Sequence, residues 1–269
     1  MDALSFPSMT TNAPASDAVP DGQVQISVAE GIGTVQFSHP KGNSLPAKLL
    51  NELAEAITRL GADRDARVIV LKSGGTSTFC AGASFDEFTA VSTPAEGQEF
   101  FSGFSRVILA MIRAPKFVLT RVQGRAAGGA LGVIAASDYS FAVRSAQAKL
   151  SELQVGIGPF VVGVVLERKL GLAPFQFLGV HADWHDAEWC ERHGLYGMLC
   201  DDITALDAAV QAHATRLAAS NPEAMAEMKK IFWAGTENWE QRMSERAALS
   251  GRMVLSDFTR EALAKFRSR

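Results

Sequence analysis

Residues 122–138, VQGRAAGGALGVIAASD, hold four glycines and five alanines but only two charged side chains. So little side chain in one place constrains a fold strongly, because it lets another backbone or a ligand approach the main chain. The stretch begins on a turn signal at Gly124 and ends as an apolar run, so it reads as a loop feeding a helix. Free N–H groups at such a helix start suit an anion, or an oxygen that is gaining negative charge. Tight helix–sheet packing accounts for the same composition, so the rest of the chain has to decide.

The flanking pattern sets the fold class. VQISVAEGIGTVQF reads as two short strands around a glycine-rich hairpin. SLPAKLLNELAEAITRLGAD places Leu49, Leu50, Leu53, Ile57 and Leu60 at helical spacing, with Gly61 positioned to end the helix. ARVIVLKS reads as a buried strand, GGTSTFCAGASFDEF as a loop and GQEFFSGFSRVILAMIRA as a helix. KFVLTRVQG leads as a strand into the opening stretch, and YSFAVRS is the next strand. Strands alternating with helices predict an α/β protein with crossover connections. From about residue 204 the pattern is helical only, and Asn221-Pro222-Glu223 marks one helix start. The expected organisation is a loose tail over 1–22, an α/β core over 23–204 and a helical region over 205–269.

Composition narrows the function. Of the 269 residues 47% are hydrophobic, enough for one large core or a core with an appendage. A net charge of −3 and the absence of any basic tract argue against nucleic acid as a partner. The three cysteines, Cys80, Cys190 and Cys200, lack metal spacing, and their odd number argues against a disulfide framework. No apolar run is long enough to span a bilayer, and the N-terminus lacks the basic start and apolar block of a secretory signal. A cytoplasmic protein that does not bind membranes is expected.

Several chemistries fail on their motifs. Gly31-Ile32-Gly33 is not followed by the third glycine of a dinucleotide fingerprint. Gly82-Ala83-Ser84-Phe85-Asp86 begins like a nucleophile elbow but has Asp86 in place of the last glycine. His181 and His185 stand four apart without the glutamate of a zinc-protease helix, and no metal is expected. Cys80 reads as a small buried residue. Two loops remain, FCAGASFDEF and GRAAGGALG, each following a predicted strand. In an α/β sheet such strand ends open onto the ligand crevice. One N–H from each could converge on a carbonyl oxygen, and losing one such donor typically costs about 3 kcal/mol of transition-state stabilisation.

Taken in order, SHPKGNSL, FCAGASFDEF, VQGRAAGGALG, AKLSELQVGIGP and CERHGLYGML resemble the crotonase, or enoyl-CoA hydratase/isomerase, superfamily over roughly residues 24–269. The resemblance implies a spiral of ββα turns with a helical C-terminal appendage, a homotrimer or hexamer, and an acyl-CoA thioester as substrate. It requires no cofactor beyond the coenzyme A carried by that substrate. It places oxyanion-binding N–H groups on Ala83 and Gly129, coenzyme A neighbours at Ala81 and Phe85, and a cation near the nucleotide phosphates at Lys41. The family's second catalytic acid maps onto Glu152, with Gly156 and Pro159 keeping their spacing. Its first falls on Gly132, which has no side chain and would leave room for a branched or carboxylated acyl group. This glycine, with GGALG and SELQVGIGP, resembles the methylglutaconyl-CoA and carboxygeranoyl-CoA hydratase branch, while isomerases of the family also keep only the second acid. Phe160-Val161 replace the small residues that often follow the proline, implying a reshaped acyl pocket.

The expected enzyme hydrates or isomerises an unsaturated acyl-CoA through Glu152. The alternatives are a catalytically weak acyl-CoA binder or another reaction of the same fold, such as thioester hydrolysis or decarboxylation. Met225, Met228, Ile231, Phe232, Trp233, Met243, Met253, Leu255 and Phe258 are expected to build an oligomer interface and part of the acyl-CoA site. Lys229, Lys230, Lys265 and Arg267 are candidate phosphate neighbours.

Overall fold

The computed structural model describes residues 21–267. Residues 1–20 of the expected tail, and the side chains of Lys265 and Arg267, lie outside what it describes. The chain opens with the hairpin β1 (Gln23–Ala29) and β2 (Ile32–Ser38), paired antiparallel with Ala29 opposite Ile32. Helix α1 (Ala47–Ala62) follows, burying Leu49, Leu50, Leu53, Ile57 and Leu60 on the face their spacing marks out. Gly61 lies within its last turn rather than ending it, and Asp63 is the C-cap.

Next come β3 (Val68–Ser73), β4 (Thr78–Cys80), α2 (Phe85–Ala90) and α3 (Pro94–Arg113). The stretch 74–88, expected as a loop, therefore holds a short strand and the start of a short helix. The chain continues through β5 (Val118–Val122), β6 (Arg125–Ala127), α4 (Gly129–Ala135), β7 (Tyr139–Val143), β8 (Gln147–Lys149) and a 3-10 turn at Glu152–Val155. Helices α5 (Phe160–Leu170) and α6 (Leu172–His181) lead to β9 (His185–Asp186), α7 (Ala187–Arg192) and β10 (Met198–Cys200). Four helices close the chain: α8 (Ile203–Ala218), α9 (Pro222–Phe232), α10 (Trp239–Met253) and α11 (Asp257–Arg267). Asn221 caps α9 as its sequence signal predicts, its side chain accepting from the Glu223 and Ala224 N–H groups.

Two sheets result. One has the order β1-β2-β3-β5-β7-β10 and is parallel from β2 onward; the other has the order β4-β6-β8-β9. Successive turns of the chain lay one strand in each sheet and then a helix, which is the spiral architecture. Parallel strands buried on both faces need continuous apolar runs, and Val68, Ile69, Val70 and Leu71 supply one. The C-terminal helices pack on this core: Met225, Trp233, Trp239 and Met243 are buried in the same hydrophobic cluster as the sheets. Lys229 is buried with them at 2% exposure, its Nζ donating to Asp138 Oδ2 (2.9 Å) and to the Met111 and Lys116 carbonyls. It fastens α9 to the core and is not available to a phosphate, contrary to the sequence expectation.

Candidate active site

The smaller sheet aligns the site. Strands β4, β6 and β8 pair parallel, with Cys80 opposite Ala126 and Ala127 opposite Lys149. Ala83, Gly129 and Glu152 each come just after one of these strands, so the pairing carries them to the same edge.

Hydrogen bonds from the loop after β2 hold the first segment. Ala81 N–H donates to the Gly42 carbonyl (3.0 Å), and Leu45 N–H donates to the Gly82 carbonyl (2.8 Å). Asn43 fixes that loop in turn, its Nδ2 donating to the carbonyls of Gly74 (2.7 Å) and Thr78 (2.8 Å). Gln123 Nε2 ties the next corner to Ser73 Oγ (2.7 Å) and the Thr78 carbonyl (3.0 Å). Gly82 has φ +96°, and a Cβ there would stand 3.0 Å from the Ala127 carbonyl oxygen. The two segments therefore meet backbone to backbone, which only glycine permits. Gly128, at φ +56°, turns the chain into α4. Among the described residues, neither Ala83 N–H nor Gly129 N–H donates to a backbone carbonyl. Gly129 has a packing reason as well: a Cβ there would lie 2.4 Å from the Phe104 ring.

Glu152 faces this pair of donors. A Cβ on Gly128 would sit 3.4 Å from Glu152 Oε1, so the carboxyl group lies against the turn that precedes Gly129. Its Oε2 is buried without a hydrogen-bond partner. Burial pushes the carboxyl up to about 7, against a weaker opposing pull from the Glu152 and Ser151 backbone amides. A carboxyl group so tuned can take up and release protons near neutral pH.

Between these groups lies a cavity of ≈ 210 Å³. Ala81, Ala83, Phe85, Gly129 and Glu152, predicted from sequence as one site, all line it. Lys41 does not; it is exposed and ion-paired with Asp86. Ser84, the serine of the partial elbow, caps α2 by accepting from Glu87 N–H. Cys80 is buried, and burial pushes its thiol up to about 12, which leaves it unreactive. His181 and His185 face each other (Nδ1 to Nε2 3.2 Å) away from the cavity lining.

Gly132 corrects the sequence reading. A Cβ there would lie 2.6 Å from Val162 Cγ1 and 3.1 Å from Ile108 Cδ1. The missing acid leaves no room; hydrocarbon occupies its place. Sequence reasoning also missed Phe88, Phe100, Phe101 and Phe104, which line the cavity from α2 and α3. Their apolar spacing was visible, but it reads equally as core. Ser250 of α10 lines the cavity too, and the Thr259 hydroxyl of α11 is shared between the Met253 carbonyl (3.0 Å) and the Gly156 carbonyl (3.2 Å) beyond the Glu152 turn. The appendage thus closes over the site within one chain.

The sequence profile of the Enoyl-CoA hydratase/isomerase family matches residues 27–267. A Rhodobacter capsulatus protein named "Probable enoyl-CoA hydratase" is 28% identical over 246 residues, covering 90% of this chain and 94% of that one. The carnitinyl-CoA dehydratase of Proteus mirabilis is 28% identical over 202 residues, covering 75% of this chain and 76% of that one. The crystal structure of enoyl-CoA hydratase from Bacillus halodurans superimposes with a TM-score of 0.84 at 20% identity, covering 90% of this chain and 99% of that one. This last likeness establishes the fold, and the family profile covers nearly the whole chain: the chain belongs to the enoyl-CoA hydratase/isomerase family of enzymes.

Proposed function

We propose that this enzyme moves the double bond of a β,γ-unsaturated acyl-CoA into conjugation with the thioester, with Glu152 as the single proton carrier. The observation that carries this reading is the cavity lining. Glu152 is the one ionisable side chain on the described wall, and the place of a second acid at Gly132 is filled by Val162 and Ile108. The Ala83 and Gly129 N–H groups hold the thioester oxygen and stabilise negative charge there as the α-proton leaves. Glu152 carboxylate takes that proton, and the electron pair delocalises into a dienolate. The resulting carboxylic acid returns the proton at the γ-carbon, giving the α,β-enoyl thioester with no net gain or loss of atoms. Ala81 and Phe85 border the pantetheine path. Lys41 reaches a nucleotide phosphate by exchanging its exposed partner Asp86, a pair that costs little to separate.

Hydration of an α,β-enoyl-CoA is the second reading, favoured by the Ser151 hydroxyl, which lines the cavity next to Glu152 and could hold a water. Absorbance of the conjugated thioester separates the two. Paired 3-enoyl- and 2-enoyl-CoA substrates of one chain length should show isomerisation faster than hydration by about tenfold or more. Faster hydration overturns the first reading.

A homotrimer or hexamer is proposed as well. Helix α6 is apolar along nearly its whole length yet buries only Leu178 within the chain. Leu172, Phe177 and Val180 stand 57%, 58% and 77% exposed. A helix apolar all round is ordinarily covered on every side, and a second copy would cover it.

A further inference from the structure

We infer that the acyl group taken by this cavity is uncharged and carries a compact ring, and that carboxylated acyl groups are rejected. The inference rests on reading the cavity as the acyl site. Besides Phe85 on the pantetheine path, five phenylalanines line it: Phe88, Phe100, Phe101, Phe104 and Phe160. Their rings stand at angles to one another, with Phe100 edge-on to Phe101 (centroids 5.0 Å) and Phe88 edge-on to Phe101 (6.1 Å). Faces and edges of opposite partial charge are therefore both on offer, an arrangement that an added aromatic ring extends.

Two of these rings are locked by glycines next to the reacting groups. Phe104 lies on Gly129, and Phe160 lies on Gly158, where a Cβ would come within 2.5 Å of its Cε1. The space of ≈ 210 Å³ exceeds by a modest margin the roughly 150 Å³ apolar cavity known to hold benzene. It accommodates the reacting carbons and one ring.

Charge excludes the other candidates. The polar side chains on the described lining are Ser151, Glu152 and Ser250, and Ser250 Oγ already donates to the Arg246 carbonyl. No lysine, arginine or histidine is among them. A substrate carboxylate would be desolvated without a counter-charge and set beside Glu152. A cationic acyl group would hold Glu152 ionised and pull its carboxyl back down from neutrality.

Calorimetric titration with saturated, unreactive thioesters tests the inference: 3-phenylpropanoyl-CoA, decanoyl-CoA and glutaryl-CoA. The phenyl thioester is expected to bind about tenfold or more tightly than either of the others. In Phe160→Ala that advantage over decanoyl-CoA should fall about tenfold, with free coenzyme A affinity retained; Phe160→Leu gives a smaller fall and guards against misfolding. Glutaryl-CoA or decanoyl-CoA binding as tightly as the phenyl thioester overturns the inference, as does an unchanged preference in both variants. These thioesters make and break no bond, so the outcome is separate from whether Glu152 moves a proton. Equal binding of free coenzyme A and all three thioesters would overturn the inference together with the reading of the cavity as an acyl site.

Discussion

Glu152 carries opposing demands on one carboxyl group. The folded protein keeps its proton up to about pH 7, whereas the unfolded chain releases it near the ordinary value of 4.5. Its contribution to stability is therefore complete below 4.5 and is lost as pH rises from there through about 7. Glu152→Gln removes this ionisation and is expected to raise stability at pH 8 by about 3 kcal/mol while changing it little at pH 4. Denaturant unfolding at the two pH values checks this, and a variant less stable than the wild type at pH 8 would contradict it. The same group as base gives kcat/KM a rise with pH through about 7. At Gly132 the side-chain vacancy was legible in the sequence, but its filling by Val162 was not, since no local pattern reports what packs across from a glycine. Gly132→Glu should therefore destabilise the fold by about 1–3 kcal/mol through overpacking and fail to improve hydration. A stable variant with faster hydration would show that the Val162 side chain gives way.

Among elements, α11 packs against the turn that carries Glu152. Thr259 Oγ1 reaches the Gly156 carbonyl at 3.2 Å, and Leu263 packs with Phe88, Ile157 and Val254. Thr259→Val should lower kcat/KM about tenfold by loosening the turn that carries Glu152, at a cost to global stability of about 1 kcal/mol. Steady-state kinetics alongside thermal unfolding reads both, and unaltered kinetics would remove α11 from the account. Elements with strong periodicity or caps were legible: α1 from its leucine spacing, α9 from Asn221-Pro222, the first hairpin from alternation around its glycines. Strands β4, β6 and β8 were not, because three-residue strands are fixed by their sheet partners rather than by their own residues. The resemblance nevertheless brought Ala83, Gly129 and Glu152 together, since it orders motifs whose spacing the strands enforce. Lys229 misled for the converse reason: its partner Asp138 is remote in sequence, and a lysine on a helix reads as solvated until that partner is seen.

At the scale of the molecule, parallel pairing in the small sheet delivers three groups to one edge, and the helical region covers them from the same chain. Assembly then has little left to supply to the described cavity and is expected to depend on surfaces such as α6. Phe177→Asp combined with Val180→Asp should convert a trimer or hexamer to monomer in light scattering, with circular dichroism unchanged; an undisturbed oligomer would place the interface elsewhere. In the proposed reaction one carboxyl, Glu152, moves a proton on the carbon framework of a thioester polarised by Ala83 and Gly129. Turnover of a β,γ-enoyl-CoA deuterated at its α-carbon, run in ordinary water and followed by NMR, measures that transfer directly. The wild type should remove one α-deuterium per turnover, found at the γ-carbon or in solvent, and Glu152→Gln should do so about two to four orders of magnitude more slowly with coenzyme A affinity retained. Equal rates of α-deuterium loss in the two proteins would rule out Glu152 as the proton carrier.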